Sequence, residues 1–358
     1  MTAVTQTLGS VISISKGKKH SVSEFQMENS KRLIGIDDLR NDNLIRYTDD
    51  NNGTEVVPND VMIAWDGANA GTIGFGKAGY IGSTIARLRI KPGSKLYPPF
   101  LGLLLRTKFD YLRQTATGAT IPHINRRALE DILLPNIEYN NQKRIAHLLG
   151  KVENLIAQRK QHLQQLDNFL KSVFLEMFGD PVRNEKGWDY ITLDNRIVHL
   201  TSGGRGWAKY YTKKGKRFVR SLDVHMNAIG NDDMAFVNPP VNAETKRTRV
   251  QEGDVLLTIT GSKIGRVCYV PKDFGEAYIS QHVAIIRTKG LNPVFLSYYL
   301  SAEHSGQRQI KKQQYGQAKP GLNLTQIREF QIPVVKIDVQ NQFSNIVKKT
   351  ERIKDRYQ

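Results

Sequence analysis

The feature that most constrains this chain is that its second half repeats its first half. The segment DVMIAWDGANAGTIG at residues 60–74 returns as DVLLTITGSKIGRVC at 254–268, which is 194 residues later. Further on, GATIPHINRRALEDILLP at 118–135 matches GQAKPGLNLTQIREFQIP at 316–333, and the separation is 198 residues. A repeat that keeps its register over so many residues indicates that one fold is built twice. We therefore expect two similar domains.

Each repeat has the pattern of a mixed α+β domain. Short apolar runs bounded by glycine predict strands, and a proline followed by helical spacing predicts a helix. The predicted strands are DVMIAW, TIARLRI, DVLLTIT and HVAIIRT, and the predicted helices are PPFLGLLLRTKFDYLRQ and PVFLSYYLSAEHSGQRQ. The expected fold class is α+β, with two tandem-repeated globular domains separated by long helices.

A long helix is expected to follow each domain. We place the first domain at 1–139, a central helix at 140–179, the second domain at 180–337 and a shorter distal helix at 338–358. Apolar residues recur in steps of mostly three and four along both helices, which is typical of a coiled coil. They are Ile145, Leu148, Val152, Leu155, Leu163, Leu166, Leu170, Val173 and Met177 in the first helix and Phe343, Ile346 and Ile353 in the second.

A helix of nearly 40 residues is about 55–60 Å long, at 1.5 Å per residue. The segment FGDP predicts its end, with Gly179 as the C-terminal cap. So long a helix with one apolar stripe needs a partner, and the second copy of the pattern supplies one. We expect an antiparallel coiled pair that holds the domains a fixed distance apart. Packing of each helix on its own domain alone stays open as the alternative.

The charge of the chain favours a polyanionic partner. It has 52 Lys and Arg against 34 Asp and Glu, for a net charge of +18. Residues 1–140 hold 17 basic and 14 acidic residues, whereas residues 181–337 hold 24 and 13. An excess of this size attracts nucleic acid, with the second domain as the more basic one. A solvated basic surface is the alternative.

The remaining composition indicates a cytoplasmic protein. The single cysteine, Cys268, excludes a disulfide framework and a thiolate metal site. We find neither a secretion signal at the N-terminus nor an apolar run of the roughly 18 residues that a membrane span requires. A cytoplasmic location without membrane contact is therefore expected.

Two near matches to catalytic motifs do not support an enzyme. GTIGFGKA at 71–78 resembles a phosphate-binding loop but ends in Ala78 and precedes a predicted strand instead of a helix. NPPV at 238–241 resembles a methyltransferase loop, but Val241 cannot stack on a flipped base. The eight histidines show no metal-ligand spacing. We therefore expect no catalytic residue, no metal and no cofactor.

The candidate DNA-binding residues lie where the two repeats differ. Asp66 and Asn69 can pair with base edges, whereas Lys263 and Arg266 suit phosphates or guanine. Ordinary hairpin turns are the alternative for these glycine loops. The full candidate set is Lys16, Lys18, Lys19, Asp66, Asn69, Thr120 and His123 in the first repeat, and Arg205, Lys213, Lys214, Lys216, Arg217, Arg220, Ser262, Lys263, Arg266 and Lys319 in the second.

The order of these features resembles the specificity subunit of type I restriction-modification systems. The resemblance is carried by the two glycine loops, the segments at 118–135 and 316–333, and the helix NQKRIAHLLGKVENLI with its echo near the end of the chain. It implies two target-recognition domains that each read half of a bipartite DNA site, with the helices as a spacer. It also implies a subunit without catalytic activity that binds two methyltransferase subunits and, through them, translocating restriction subunits.

The resemblance places S-adenosylmethionine, ATP and Mg²⁺ on the partner subunits only. The chain departs from the family at its distal helix, which is usually about as long as the central one and here is short or truncated. Two other functions remain open at this point. The chain could be an N6-adenine DNA methyltransferase with atypical motifs, or a free-standing DNA-binding regulator.

Overall fold

A computed structural model describes residues 6–118, 120–314 and 321–357. The chain divides into two compact units, Met1–Gln158 and Arg159–Gln358. The same structural plan is found in both units.

The first unit holds two four-stranded sheets. Its elements are α1 (Leu8–Val11), β1 (Ile12–Lys16), β2 (Lys31–Ile34), β3 (Arg46–Thr48), β4 (Glu55–Val56), β5 (Val61–Ala64), β6 (Ile73–Phe75), β7 (Gly79–Ile81), β8 (Ile85–Ile90), α2 (Pro98–Arg106), α3 (Phe109–Gln114), α4 (Arg126–Glu130) and α5 (Tyr139–Phe178), which continues into the second unit. One sheet has the order β1-β8-β5-β6 and is antiparallel, and the other has the order β3-β2-β7-β4. In the second sheet, β2 and β7 are parallel.

Strand β5 joins the two cores of this unit. Val61 and Ile63 lie in the core that contains α2, whereas Met62 and Ala64 lie in the core formed with β2 and β7. Alternate residues of a strand point to opposite faces, so a strand covered on both faces must be apolar throughout. This is why DVMIAW reads as a continuous apolar run, and the strand prediction is confirmed.

The second unit repeats this arrangement after the end of α5. Its elements are β9 (Tyr190–Thr192), β10 (Ile197–Ser202), β11 (Tyr211–Thr212), β12 (Lys216–Val219), β13 (Ala235–Val237), α6 (Ala243–Thr248), β14 (Val255–Thr258), β15 (Val267–Tyr269), β16 (Ala277–Ile279), β17 (Val283–Thr288), α7 (Pro293–Ser301), α8 (Arg308–Gln314), α9 (Leu324–Arg328), β18 (Gln331–Pro333) and α10 (Ile337–Tyr357). The sheet β10-β17-β14-β15 matches β1-β8-β5-β6 strand for strand. In the sheet β11-β13-β12-β16, the pair β12 and β16 is parallel, as β2 and β7 are. The internal duplication and the α+β class are thereby confirmed.

A buried ion pair explains the repeated Asp-Val. Asp60 accepts two hydrogen bonds from Arg89, at 2.7 and 2.6 Å, and Asp254 accepts two from Arg287, at 2.7 and 2.9 Å. Both aspartates are almost completely buried. Each also accepts a backbone N–H from three residues earlier. A buried carboxylate requires such partners, so these residues belong to the scaffold.

The central helix is continuous over 40 residues. Gly179 follows it with a φ of +77°, and its N–H bonds the carbonyl of Leu175 at 2.8 Å, so the predicted C-terminal cap is confirmed. The last part of α5 packs against α10 within the second unit. Phe178 and Phe174 contact Phe343, with ring centroids 5.4 and 5.5 Å apart.

Two further contacts give the direction of this pair. Lys354 lies 2.6 Å from Asp167, and the rings of Tyr357 and His162 are 5.7 Å apart. Residue numbers rise along one helix as they fall along the other, so the helices are antiparallel, as predicted. Leu170, Phe343 and their half-buried neighbours Val173, Met177 and Ile346 lie in one core with the second domain, and Leu163 and Leu166 are half-buried.

The earlier part of α5 differs. Ile145 packs on the first domain, but Leu148, Val152 and Leu155 are 52, 50 and 64% exposed. Leu149 and Ile156 extend this stripe and are also exposed. Ile353 on α10 is exposed as well. Helix pairing along these positions stays a prediction. We call Leu148, Leu149, Val152, Leu155 and Ile156 the open stripe.

Candidate nucleic-acid interface

The two glycine loops have one backbone structure. In the first loop, Ala64 N–H bonds Thr72 O at 2.8 Å, and in the second, Thr258 N–H bonds Arg266 O at 2.8 Å. Gly67, Gly71, Gly261 and Gly265 all have φ between +88° and +94°. Residues that carry a side chain rarely adopt this backbone conformation, which explains why glycine recurs at these positions in both loops. The loops are hairpin connections that join β5 to β6 and β14 to β15. The segment GTIGFGKA at 71–78 includes β6 and is followed by β7, so it does not precede a helix as a phosphate-binding loop would.

The second repeated segment lies beside each loop. Gly67 N–H bonds Pro122 O, and Ile124 N–H bonds Trp65 O, both at 2.9 Å. In the second unit, Leu322 N–H bonds Ile259 O at 2.9 Å. The repeated asparagines then cap the next helix, with Asn125 before α4 and Asn323 before α9. Each domain thus builds one face from two segments that are far apart in sequence, which we call the loop face.

On the first loop face, three predicted residues form one network. Lys16 Nζ lies 2.8 Å from one carboxylate oxygen of Asp66, and His123 Nδ1 lies 2.6 Å from the other. Partial burial opposes ionisation of Asp66, but the hydrogen bonds from His123 and Lys16 outweigh it, so its pKa lies below the ordinary value. Lys16 and His123 remain half exposed. The network presents a carboxylate, an imidazole and an ammonium group together.

Asn69 has a partner that the sequence did not indicate. Its side-chain oxygen accepts a hydrogen bond from Arg40 at 2.7 Å, and Arg40 also approaches Thr72 Oγ1 at 3.3 Å. Arg113 donates to the backbone oxygen of Ala68 at 2.9 Å in the same loop. Neither arginine is in the predicted set, and we find no local sequence pattern that would have identified them.

The second loop face carries different groups on the same frame. Thr260 takes the place of Asp66 and its hydroxyl bonds His282 Nδ1. Ser262 and Lys263 are exposed in the loop, and Arg266 approaches His225 Nδ1 at 3.5 Å. The first loop face therefore offers a carboxylate and an amide where the second offers hydroxyls and a cation.

The candidate basic residues at 213–220 in the second domain divide into two groups. Lys213 and Lys214 are exposed in the turn between β11 and β12. Lys216 pairs with Glu276 at 2.7 Å. Arg217 donates to Gly230 O and lies 4.6 Å from the ring centroid of Phe274, and desolvation lowers its pKa.

Arg220 also has an internal partner, because Asp223 accepts from its guanidinium at 3.0 and 2.9 Å. The remaining predicted residues are spread out. Lys18 bonds Asn52 Oδ1 at 2.7 Å, while Lys19, Thr120 and Arg205 are exposed. Lys319 lies outside the described residues. DNA contact by every residue of the predicted set stays a prediction. Among the candidates in the described ranges, the exposed cationic side chains with neither a hydrogen bond nor an ion pair to another residue are those of Lys19, Arg205, Lys213, Lys214 and Lys263.

In the described ranges, we find no group of three His, Cys, Asp or Glu side chains that could hold a metal ion. None of the helices described is long and apolar enough to cross a membrane.

The fold defines a class of proteins with a duplicated α+β domain and a long helix after each copy. The sequence model of the type I restriction modification DNA specificity domain matches residues 2–168 and 210–356. These matches cover most of the chain, which therefore belongs to this family, the non-catalytic specificity subunits that recognise DNA target sequences in type I restriction-modification systems.

Individual relatives agree with this family assignment. The specificity subunit of the type I restriction enzyme MjaVIII from Methanocaldococcus jannaschii is 24% identical over 97% of this chain and 85% of its own length. That of EcoBI from Escherichia coli is 24% identical over 97% of this chain and 78% of its own. The crystal structure of the S subunit from M. genitalium has a TM-score of 0.69 at 18% identity and covers 99% of this chain and 90% of that one.

Proposed function

We propose that each domain reads one half of a bipartite DNA target through its loop face, and that the bases between the two halves are not read. The observation that carries this proposal is the pair of glycine loops, which share one backbone structure and differ in their side chains. Two copies of one frame with different donors and acceptors suit two different short sequences.

The chemistry of the loop faces supports different base preferences. In the first domain, Asp66 can accept from the amino group of cytosine or adenine, and His123 is held beside it. In the second domain, Lys263 can donate to guanine O6 and N7. The exposed Lys213 and Lys214 suit phosphate contacts, which position the protein without selecting bases. Lys216, Arg217 and Arg220 would have to exchange an internal partner first.

The long helices support the unread spacer. A helix of 40 residues is about 60 Å long, which is nearly two turns of B-DNA at about 34 Å per turn. A reader with such a helix between its domains suits half-sites that are separated along the duplex, not one compact motif.

The open stripe supports binding of partner subunits. Leu148, Leu149, Val152, Leu155 and Ile156 recur at helical spacing, and their exposure is unusual for apolar residues on one face. We propose that helices of two methyltransferase subunits bind here and along α10, and that restriction subunits join through them. S-adenosylmethionine, ATP and Mg²⁺ would then bind to those partner subunits. The complex would work in the cytoplasm, where the DNA lies.

The test is to express this chain with the methyltransferase subunit of its own system in a host without DNA methylation, and to map modified adenines across the genome. We expect a split motif that is present only when both chains are made. One compact motif, or methylation by the methyltransferase alone with the same motif, would contradict the proposal. Exchange of the segment 66–69 for 260–263 is expected to change one half-site and leave the other intact.

A further inference from the structure

Each long helix has a buried glutamine as its fourth residue, at the same position of the repeat. Gln142 on α5 and Gln340 on α10 are 198 residues apart, the separation that relates the second part of the repeats. Their exposures are 4 and 1%. A buried amide is tolerated only when its donors and acceptor are paired, so the contacts of each glutamine show what it holds.

Gln142 joins the first domain to the start of α5. Its Oε1 accepts from the backbone N–H of Tyr97 at 2.9 Å. Its Nε2 donates to the carbonyls of Lys95 at 3.1 Å and Ile137 at 2.8 Å. Lys95 and Tyr97 lie in the loop before α2, and Ile137 lies just before α5. One side chain therefore ties the helix to the segment leading into it and to the body of the domain.

Gln340 makes the same junction in the second domain. Its Oε1 accepts from the backbone N–H of Asn292 at 2.8 Å, in the loop before α7. Its Nε2 donates to the carbonyl of Val335 at 2.8 Å, just before α10. Asn292 also bonds Asn341 through its side chain at 2.8 Å. The repeat has thus kept the glutamine together with the two backbone segments that it joins.

The direction in which a long helix points depends on the contacts of its first turn, which we call the helix base. A helix of about 60 Å that tilts by about 3° moves its far end by about 3 Å, which is close to the rise of one base pair. Apolar contacts alone hold direction loosely, because they are not directional. Two or three hydrogen bonds to a buried amide have fixed geometry and restrict the tilt.

We propose that Gln142 and Gln340 are positioning residues that fix the direction in which each long helix leaves its domain, and so restrict the protein to one spacer length between half-sites. This inference rests on the proposed function, since it assumes a bipartite target. It assigns spacer selectivity to the helix bases as well as to the helix length.

The experiment uses the complex of the full chain with its methyltransferase and duplexes that carry both half-sites. The spacer is lengthened or shortened by one base pair at a time, and the methylation rate is measured for each. The readout is the ratio of the rate at the best spacer to that at the next best. Gln142→Ala is expected to lower this ratio by about tenfold, which corresponds to about 1.4 kcal/mol. Gln340→Ala is expected to lower it by less, because α10 has 21 residues against 40 in α5. The bases preferred in each half-site should not change.

Two further variants separate positioning from stability. Ile63→Val removes one methyl group from the core of the first domain, away from the helix base, and is expected to lower the melting temperature without changing the ratio. Gln142→Met has a similar size and no charge but makes none of the three hydrogen bonds, so a similarly lowered ratio is expected if the alanine variant fails to fold. If the folded glutamine variants keep the wild-type ratio, the inference is wrong. If the wild-type complex shows no split target, the proposed function fails instead.

Discussion

At the residue scale, Asp60 and Asp254 are the clearest case of side chains that serve the scaffold. Each is almost completely buried, and each holds an arginine of a neighbouring strand by two hydrogen bonds. The glycines that follow them have positive φ and form the same hairpin connection in both domains. Repeated residues thus maintain the frame, and the variable positions between them are free to differ in chemistry.

Replacement of Asp254 by asparagine should destabilise the second domain strongly. The change leaves Arg287 with a weaker acceptor in a buried site, and breaking such a pair costs about 3–5 kcal/mol. Urea unfolding of the full chain measures the loss. Asp194→Asn is the matched control, since Asp194 pairs with Arg328 on the surface and should contribute less than about 1 kcal/mol. Equal losses from the two variants would contradict a scaffold role for Asp254.

Replacement of Lys263 by alanine should relax one position of one half-site. Lys263 is exposed on the second loop face, and loss of a base contact costs about 1–3 kcal/mol in discrimination. Methylation of duplexes with single-base changes measures this. Lys272→Ala removes an exposed charge from a turn outside the loop face and should leave the motif unchanged. A phosphate contact would give a different result. Binding would then weaken equally for all sequences, and the slope of log affinity against log salt concentration would fall by about one.

At the element scale, periodicity predicted the long helix, its C-terminal cap and the principal strands, because each of these depends on nearby residues. The antiparallel direction of α5 and α10 could also be predicted from the sequence, since the apolar pattern recurs after each domain. The sequence could not predict the contact of Arg40 with Asn69 or the contacts of Gln142, because these contacts join segments that are distant in the chain. The internal partners of Arg217 and Arg220 were missed for the same reason.

Replacement of Phe343 by alanine should weaken the pairing of α10 with α5. Its ring is completely buried and contacts Phe174, Phe178 and Tyr298. Loss of a buried phenylalanine typically costs about 3–5 kcal/mol. Thermal unfolding of the full chain checks the effect. Ile353→Ala, on the same helix but half exposed, should have a much smaller effect, and a similar loss from both would show that the core at Phe343 is less important than its burial indicates.

At the scale of the whole molecule, the chain holds two copies of one domain, each followed by a long helix. The loop faces differ between the domains, whereas the helices share their pattern and their buried glutamines. The family match spans both domains, in agreement with one design used twice.

Replacement of Leu155 by aspartate should impair assembly without unfolding the chain. Leu155 is 64% exposed in the open stripe, so the change should alter stability by no more than about 1 kcal/mol. Binding to the methyltransferase subunit should weaken by about tenfold or more, as for a central apolar contact. Leu175→Asp is the control, because Leu175 is exposed on the same helix outside the stripe. Unchanged binding by the Leu155 variant would exclude the open stripe as the docking surface.

The open stripe also has a consequence for how a cell must supply this protein. Five apolar side chains on one helix face are favourable to cover and unfavourable to leave in water. Chains made in excess of their partners would meet one another through this face and precipitate or be degraded. The proposed docking therefore predicts that this chain is poorly soluble when it is made alone, and that its solubility rises when the methyltransferase subunit is made in the same cell.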